Sequence, residues 1–165
     1  MCRNKSSFVL SFNFTFFGND MKQTKPPIKF HFLVPCRVPE RKKLKAFVAS
    51  LFKREAHQLD ELSYIFCDDD FLLNLNRKFL DHHYYTDILT FPFSDPASRI
   101  ISGEIYISID RVRENAKDLG LPFRRELHRV IFHGALHLCH YRDKSKKDQA
   151  IMRSMEDRYL AGYFK

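Results

Sequence analysis

The sequence predicts an α+β domain in which helices pack on a single small mixed β-sheet. Short apolar segments with the two-residue alternation of strands are interspersed with longer segments of helical periodicity, which suits one sheet covered by helices. The chain has 165 residues, enough for one domain with a substantial core. The sequence contains no internal repeat and no low-complexity linker that would divide it.

The first half of the chain predicts two strands and two helices. Residues 28–34 alternate as a strand, and residues 39–56 form a helix because apolar residues recur at helical spacing. Residues 62–67 form a buried strand, after which Asp68 caps a helix over residues 69–80. The side chains expected to point inward are Leu44, Phe47, Val48, Leu51 and Phe52 on the first helix, and Leu72, Leu75 and Phe79 on the second.

Two further strands are predicted in the middle of the chain. Residues 81–86 form a polar aromatic loop, and residues 87–93 form a strand that Pro92 weakens, which indicates a sheet edge. Residues 100–108 form the next strand, and Gly103 within it indicates a bulge or a close approach of another segment.

Three helices complete the prediction. Residues 109–119 form a helix that Gly120 ends, and the next helix runs from Pro122 to about Cys139. That helix is apolar almost all round, which is typical of a central helix. A last helix covers residues 147–161, with one apolar stripe formed by Ile151, Met155 and Tyr159.

The charge of the chain favours a polyanionic partner. Its formal net charge is +8, which suits nucleic acid above all. The helix over residues 39–56 concentrates this charge, and it carries only Glu40 and Glu55 as acids. The helix is either an RNA-binding face or an ordinary solvated face. Its basic residues are Arg41, Lys42, Lys43, Lys45, Lys53 and Arg54.

The cysteines and the apolar segments indicate a cytoplasmic protein that has no membrane partner. Cys2, Cys36, Cys67 and Cys139 form no CxxC pair, and Cys67 and Cys139 follow apolar residues, as small buried side chains do. A disulfide framework is not expected in a chain of this size, which indicates a reducing compartment. No apolar run approaches the length of a membrane span.

We interpret residues 1–20 as a poorly defined N-terminal leader. Their basic start and apolar stretch faintly resemble a signal peptide, but polar residues interrupt that stretch and it lacks a small-residue cleavage site. A single domain is expected over residues 21–165.

The stretch HGALHLCHYRD, residues 133–143, is a candidate metal site on the central helix and the turn after it. His133 and His137 stand four residues apart, so both imidazoles lie on one helix face and can share an ion. Gly134 occupies the position that a glutamate takes in the HExxH motif of metallopeptidases. Because glycine weakens a helix, its presence indicates that another segment packs closely against it.

Two residues compete to be the third ligand. If the helix continued, His140 would share the face but lie about 10 Å from His133 along the axis. If the chain turns near residues 139–141, Asp143 swings back to the ion and His140 can adopt the left-handed conformation of the turn.

The stretch at residues 133–143 and two further segments resemble the YbeY family of rRNA maturation factors, which are zinc-dependent endoribonucleases of bacteria. Residues 133–143 follow the family pattern HGxLHLxGYDH except at His140, Arg142 and Asp143, where the family has glycine, aspartate and histidine. TDILTF (86–91) and SGEIYIS (102–108) match two of its strands in the right order. The resemblance covers most of the chain after Met21.

The resemblance implies one Zn²⁺ per chain, held by His133, His137 and Asp143. Asp143 occupies the position of the family's third histidine, and His140 that of a family glycine. The family usually has an arginine, important for activity, at the position where this chain has Leu80.

The function implied by the resemblance is single-strand-specific cleavage of RNA in rRNA maturation, at the 3′ end of the small-subunit rRNA, and in ribosome biogenesis. The expected partners are ribosomal RNA and the small ribosomal subunit. The missing arginine keeps open a ribosome-associated RNA-binding protein with a structural zinc, while the missing HExxH glutamate argues against a peptidase or similar metallohydrolase. No catalytic base is assigned, although Asp87 and Glu104 lie on strands that the family places near the cleft.

Overall fold

Four strands and five helices form residues 27–165, the part of the chain that the computed structural model describes. The proposed leader, residues 1–20, lies outside the described residues, as do residues 21–26 and Cys2. The predicted elements are present, and their bounds differ from the predicted ones by a few residues. The elements are β1 (Ile28–Phe32), α1 (Arg41–Arg54), β2 (Gln58–Cys67), α2 (Asp69–Leu80), β3 (Ile88–Pro92), β4 (Ile100–Ser108), α3 (Ile109–Asp118), α4 (Phe123–Leu138) and α5 (Lys146–Tyr163).

The four strands form one mixed sheet in the order β1-β2-β4-β3, which confirms the predicted fold class. The strands β1, β2 and β4 run parallel, and β3 pairs antiparallel with β4. β3 is an edge strand, as the sequence predicted, and it ends at Pro92, one residue earlier than predicted. Proline is tolerated there because an edge strand leaves part of its backbone unpaired.

The two faces of the sheet carry different helices. On β4, Gly103 and Ile105 face α4, because a Cβ added at Gly103 would lie 3.3 Å from Leu138. The alternate residue Tyr106 points to the opposite face, where its ring stacks on Phe71 of α2 at 6.2 Å between centroids and meets Phe91 of β3 edge-on at 5.6 Å. The same added Cβ would lie 2.6 Å from the Phe91 carbonyl oxygen, so Gly103 marks a close approach of β3.

Helix α4 is the central helix, as predicted, and most of its residues are buried. It packs closely on the sheet at Gly134, where an added Cβ would lie 2.7 Å from Ile88 Cδ1 and 2.9 Å from Ile105 Cγ2. This contact is the close packing that the helical glycine indicated. It brings the helix close to β3 and β4, and it places His133 and His137 on either side of the contact in sequence.

The inward face of α2 is rotated from the predicted one. Leu72 is buried and Leu75 half-buried, as expected, but the expectation for Phe79 was wrong, because its side chain is 56% exposed. Phe79 reaches over the sheet edge and packs edge-on against Phe91, at 5.5 Å between ring centroids. In this part of the helix, the buried residue is Asn76.

The stripe predicted on α5 was also partly wrong. Tyr159 is buried and Met155 half-buried, whereas Ile151 is 44% exposed. Met152 and Glu156 occupy the inward face instead. Ile151 precedes Met152 by one residue, about 100° around the helix, so it faces solvent when Met152 faces the core.

Within residues 27–165, none of the helices combines the length and the apolar character that a membrane span requires. Cys36, Cys67 and Cys139 are free thiols, and Cys67 and Cys139 are buried. Burial raises the pKa of each of these two thiols to about 12.

Candidate metal centre

The end of α4 reverses the chain and brings Asp143 back toward the helix. The His140 amide donates to the His137 carbonyl at 2.9 Å, and the Tyr141 amide donates to the Leu136 carbonyl at 3.1 Å. These two bonds form a Schellman motif, which needs a left-handed residue after the helix. His140 supplies it with a φ of 69°.

The three predicted ligands meet at this turn. The Nε2 atoms of His133 and His137 lie 2.9 Å apart. The Asp143 Oδ2 atom lies 3.8 Å from the first and 3.6 Å from the second. Two tetrahedral zinc ligands at their usual bond lengths stand about 3.3 Å apart. The spacing of the three atoms therefore fits a single ion.

The hydrogen bonds of the two imidazoles direct their lone pairs toward each other. His137 Nδ1 lies 2.9 Å from the Tyr141 carbonyl oxygen, which can only accept, so Nδ1 carries the proton. His133 Nδ1 lies 2.6 Å from Glu156 Oε1 and donates to it in the same way. Both Nε2 atoms are then acceptors that face each other beside a carboxylate, an arrangement that a bound cation stabilises.

The charge states of the site support this arrangement. Burial lowers the pKa of His137, and the neighbouring His133 lowers it further, which favours the neutral ring that binds a metal. Burial alone would raise the pKa of Glu156. The hydrogen bond from His133 and the charge of Arg129 outweigh it and hold this pKa below its usual value.

Glu156 also belongs to a buried ionic network. Arg129 donates from Nε and Nη2 to the two carboxylate oxygens of Glu126, at 2.8 and 2.5 Å, and from Nη1 to Glu156 at 3.2 Å. Glu126 is fully buried, and its hydrogen bonds are the main reason that the pKa of Arg129 is raised. This pair was not predicted from the sequence, although a glutamate and an arginine three residues apart on an apolar helix could have indicated it.

The rival third ligand, His140, points away from the site. Its ring lies against that of His57, at 5.6 Å between centroids. Among residues 27–165, the group with metal-binding spacing consists of His133, His137 and Asp143.

A cleft of about 470 Å³ opens beside the three side chains. Its walls include Asp87, Leu80 and Lys144. Of the two carboxylates that the resemblance placed near the cleft, Asp87 therefore lines it. Glu104 does not line this cleft, because it accepts a hydrogen bond from Tyr106 on the face of the sheet opposite α4.

The basic N-terminal half of α1 lies far from this cleft. An ion pair between Glu40 and Arg124 joins the starts of α1 and α4. The rise of α4 from Arg124 to His137 is about 20 Å. Lys43 and Lys45 lie over aromatic rings, each at 4.9 Å from the ring centroid.

We expect Glu156→Ala to weaken zinc binding about 10- to 100-fold, because His133 loses the carboxylate that orients its ring. Glu156→Gln keeps an oxygen acceptor for Nδ1 and should fall between this variant and the original protein. Competition for zinc with a chromophoric chelator measures the effect. Asp157→Ala, at an exposed position on the same helix, is the matched control. Unchanged affinity in Glu156→Ala would show that His133 does not depend on this contact.

Comparison with known proteins identifies similar sequences and a similar solved structure. The family model described as endoribonuclease YbeY matches residues 37–163. The endoribonuclease YbeY of Porphyromonas gingivalis is 48% identical over 114 residues, covering 69% of this chain and 74% of that protein. The protein of the same name from Flavobacterium psychrophilum is 44% identical over 133 residues, covering 81% and 94%. The solution structure of TM1509 from Thermotoga maritima aligns with a TM-score of 0.58 and 27% identity, covering 83% of this chain and 89% of that one.

Proposed function

This chain belongs to the endoribonuclease YbeY family and is an RNA-cleaving hydrolase, and we propose that it cleaves single-stranded RNA with one zinc ion per chain. The ligands we assign are His133, His137 and Asp143. The observation that carries the assignment is the pair of Nε2 lone pairs that face each other beside a carboxylate at the wall of an open cleft. Three protein ligands leave a fourth zinc position free, which is the arrangement of catalytic zinc sites.

We further propose that the RNA is ribosomal and that cleavage matures the 3′ end of the small-subunit rRNA during ribosome biogenesis in the cytoplasm. The sequence blocks shared with the YbeY family support this assignment, and the net charge of +8 suits an RNA partner. We assign the activity to a single domain over residues 21–165, preceded by a leader over residues 1–20.

The side chains around the cleft suit the binding and cleavage of a phosphodiester. A zinc ion held by His133, His137 and Asp143 would supply Lewis-acid chemistry to a phosphoryl oxygen or a water molecule. Lys144 forms no ion pair within residues 27–165 and lines the cleft, so its ammonium is free to hold a phosphate. Glu156 and the Tyr141 carbonyl hold the two imidazoles in the tautomer that binds metal.

Two other functions are weighed against this proposal. Leu80 lines the cleft without adding positive charge, which favours a ribosome-associated RNA-binding protein with a structural zinc. A metallopeptidase is disfavoured, because a side chain at Gly134 would meet Ile88 and Ile105 at less than 3 Å. A glutamate at this position would have to displace both isoleucine side chains.

Incubating the purified protein with structured RNA and with casein, each with and without chelator, separates the three functions. Cleavage of RNA alone, lost on chelation and restored by zinc, is the expected result. RNA binding without cleavage would indicate the structural-zinc protein, and casein cleavage would indicate a peptidase. The RNA should contain both duplex and single-stranded regions, since cuts confined to the latter test the strand preference.

We expect neutralisation of Lys42, Lys43 and Lys45 to glutamine to weaken RNA binding and to flatten its dependence on salt, because fewer counterions are released. The distance of these residues from the cleft means that they would contact RNA beyond the cleavage position. Binding measured over a series of salt concentrations is the test, with Lys117→Gln on α3 as control. An unchanged slope would show that α1 presents an ordinary solvated face.

A further inference from the structure

The loop between α2 and β3 exposes aromatic side chains at the rim of the cleft. We call residues 81–86 the aromatic loop. Tyr84 is 59% and Tyr85 50% exposed, and Phe79 just before the loop is exposed as well. Large apolar side chains grouped on a surface mark a binding site more often than an accident of packing.

The aromatic loop is held in its shape by a buried side chain. Asn76 is 1% exposed, and its Nδ2 donates to the Tyr84 carbonyl at 2.9 Å. Its backbone carbonyl accepts from the amides of Asp81 and His82. The bond from Nδ2 satisfies this buried group and joins the backbone at Tyr84 to α2, whereas the Asn76 Oδ1 atom has no hydrogen-bond partner within residues 27–165. The loop backbone is thus tied to the end of α2 beside the exposed tyrosines.

The exposed rings form flat surfaces beside positive charge. The rings of His82 and Tyr84 stack at 5.0 Å between centroids, with an interplanar angle of 24°. Lys78 lies over the ring of Phe79 at 5.3 Å, and Arg77 is exposed next to it. Within residues 27–165, neither of these two cations forms an ion pair. Aromatic faces next to cations are the combination that binds single-stranded nucleic acid.

The loop is continuous with the cleft. Leu80 precedes the loop and Thr86 ends it, and both line the cleft together with the three proposed ligands. A strand whose scissile phosphate lies at the ligands therefore passes the loop. Unpaired bases can turn their faces to the tyrosines, whereas a duplex keeps its bases stacked inside.

We propose that the aromatic loop is a base-stacking platform for single-stranded RNA next to the scissile phosphate. This inference rests on the proposed function and names how its substrate is held. Stacking tolerates any base, because every base has a π-face, so the platform selects unpaired strands rather than a sequence.

The test uses the zinc-loaded full chain and a short single-stranded RNA. The variants are Tyr84→Ala/Tyr85→Ala, the double change to phenylalanine, and Leu33→Ala as an exposed apolar control on the far side of the sheet. Cleavage gives KM and kcat separately, and fluorescence anisotropy gives Kd. Each is measured with the intact strand and with the same strand carrying abasic nucleosides next to the cleavage position.

We expect the double alanine variant to bind the intact strand about tenfold more weakly, from the loss of base stacking. The abasic strand should bind this variant and the original protein alike, and the phenylalanine variant should keep the affinity. Equal affinity of the original and alanine proteins for the intact strand would overturn the proposal and would indicate that the loop binds a protein partner instead. Equal weakening on both strands would also overturn it. Absence of any cleavage would refute the proposed function, while anisotropy would still decide the role of the loop.

Discussion

Protein that carries both His133→Ala and His137→Ala will contain no zinc and will not cleave RNA. The remaining candidate ligand, Asp143, is half-exposed, and one carboxylate cannot hold the ion against water. The original protein, purified without added metal, should contain one zinc per chain by elemental analysis. This is the largest effect that we expect from any pair of substitutions.

His31→Ala provides the control for histidine loss, because His31 is exposed on edge strand β1 at the far side of the sheet from β3. Thermal unfolding with and without zinc shows whether the double variant has lost the ion or the fold. Less than about a tenth of an equivalent of zinc in the original protein would contradict the site, since a site of this ligand number should hold metal tightly.

Asp143→Ala will also lose zinc, whereas His140→Gly will keep it. The Asp143 carboxylate lies within 4 Å of both Nε2 atoms, while the His140 ring faces His57. His140 adopts a positive φ that glycine adopts at no steric cost, so the glycine variant should fold at least as well. Zinc content and the free energy of unfolding are the measurements.

Asp143→His is the matched variant for this second prediction, because it replaces one good zinc ligand by another. It should retain zinc where Asp143→Ala does not. Loss of zinc from His140→Gly together with its retention in Asp143→Ala would reverse the assignment and make the third ligand His140.

The sequence by itself determined the elements and two of the three proposed ligands. Helical and strand periodicity follow from the 3.6-residue turn and the two-residue pleat, so apolar spacing predicted α4 as central and β3 as an edge. The same periodicity placed His133 and His137 on one face. Gly134 predicted a close contact, and the structure identifies the contacting residues as Ile88 and Ile105.

Only the tertiary structure showed the contacts that depend on packing between segments distant in sequence. Whether His140 or Asp143 approaches the two histidines depended on the backbone bonds of one turn. The Glu156 partner of His133 comes from another helix, and Phe79 and Ile151 were misplaced because a small rotation of a helix exchanges a buried residue for its neighbour. Spacing along a chain encodes which residues share a face, but the contacts between faces depend on how all the elements pack at once.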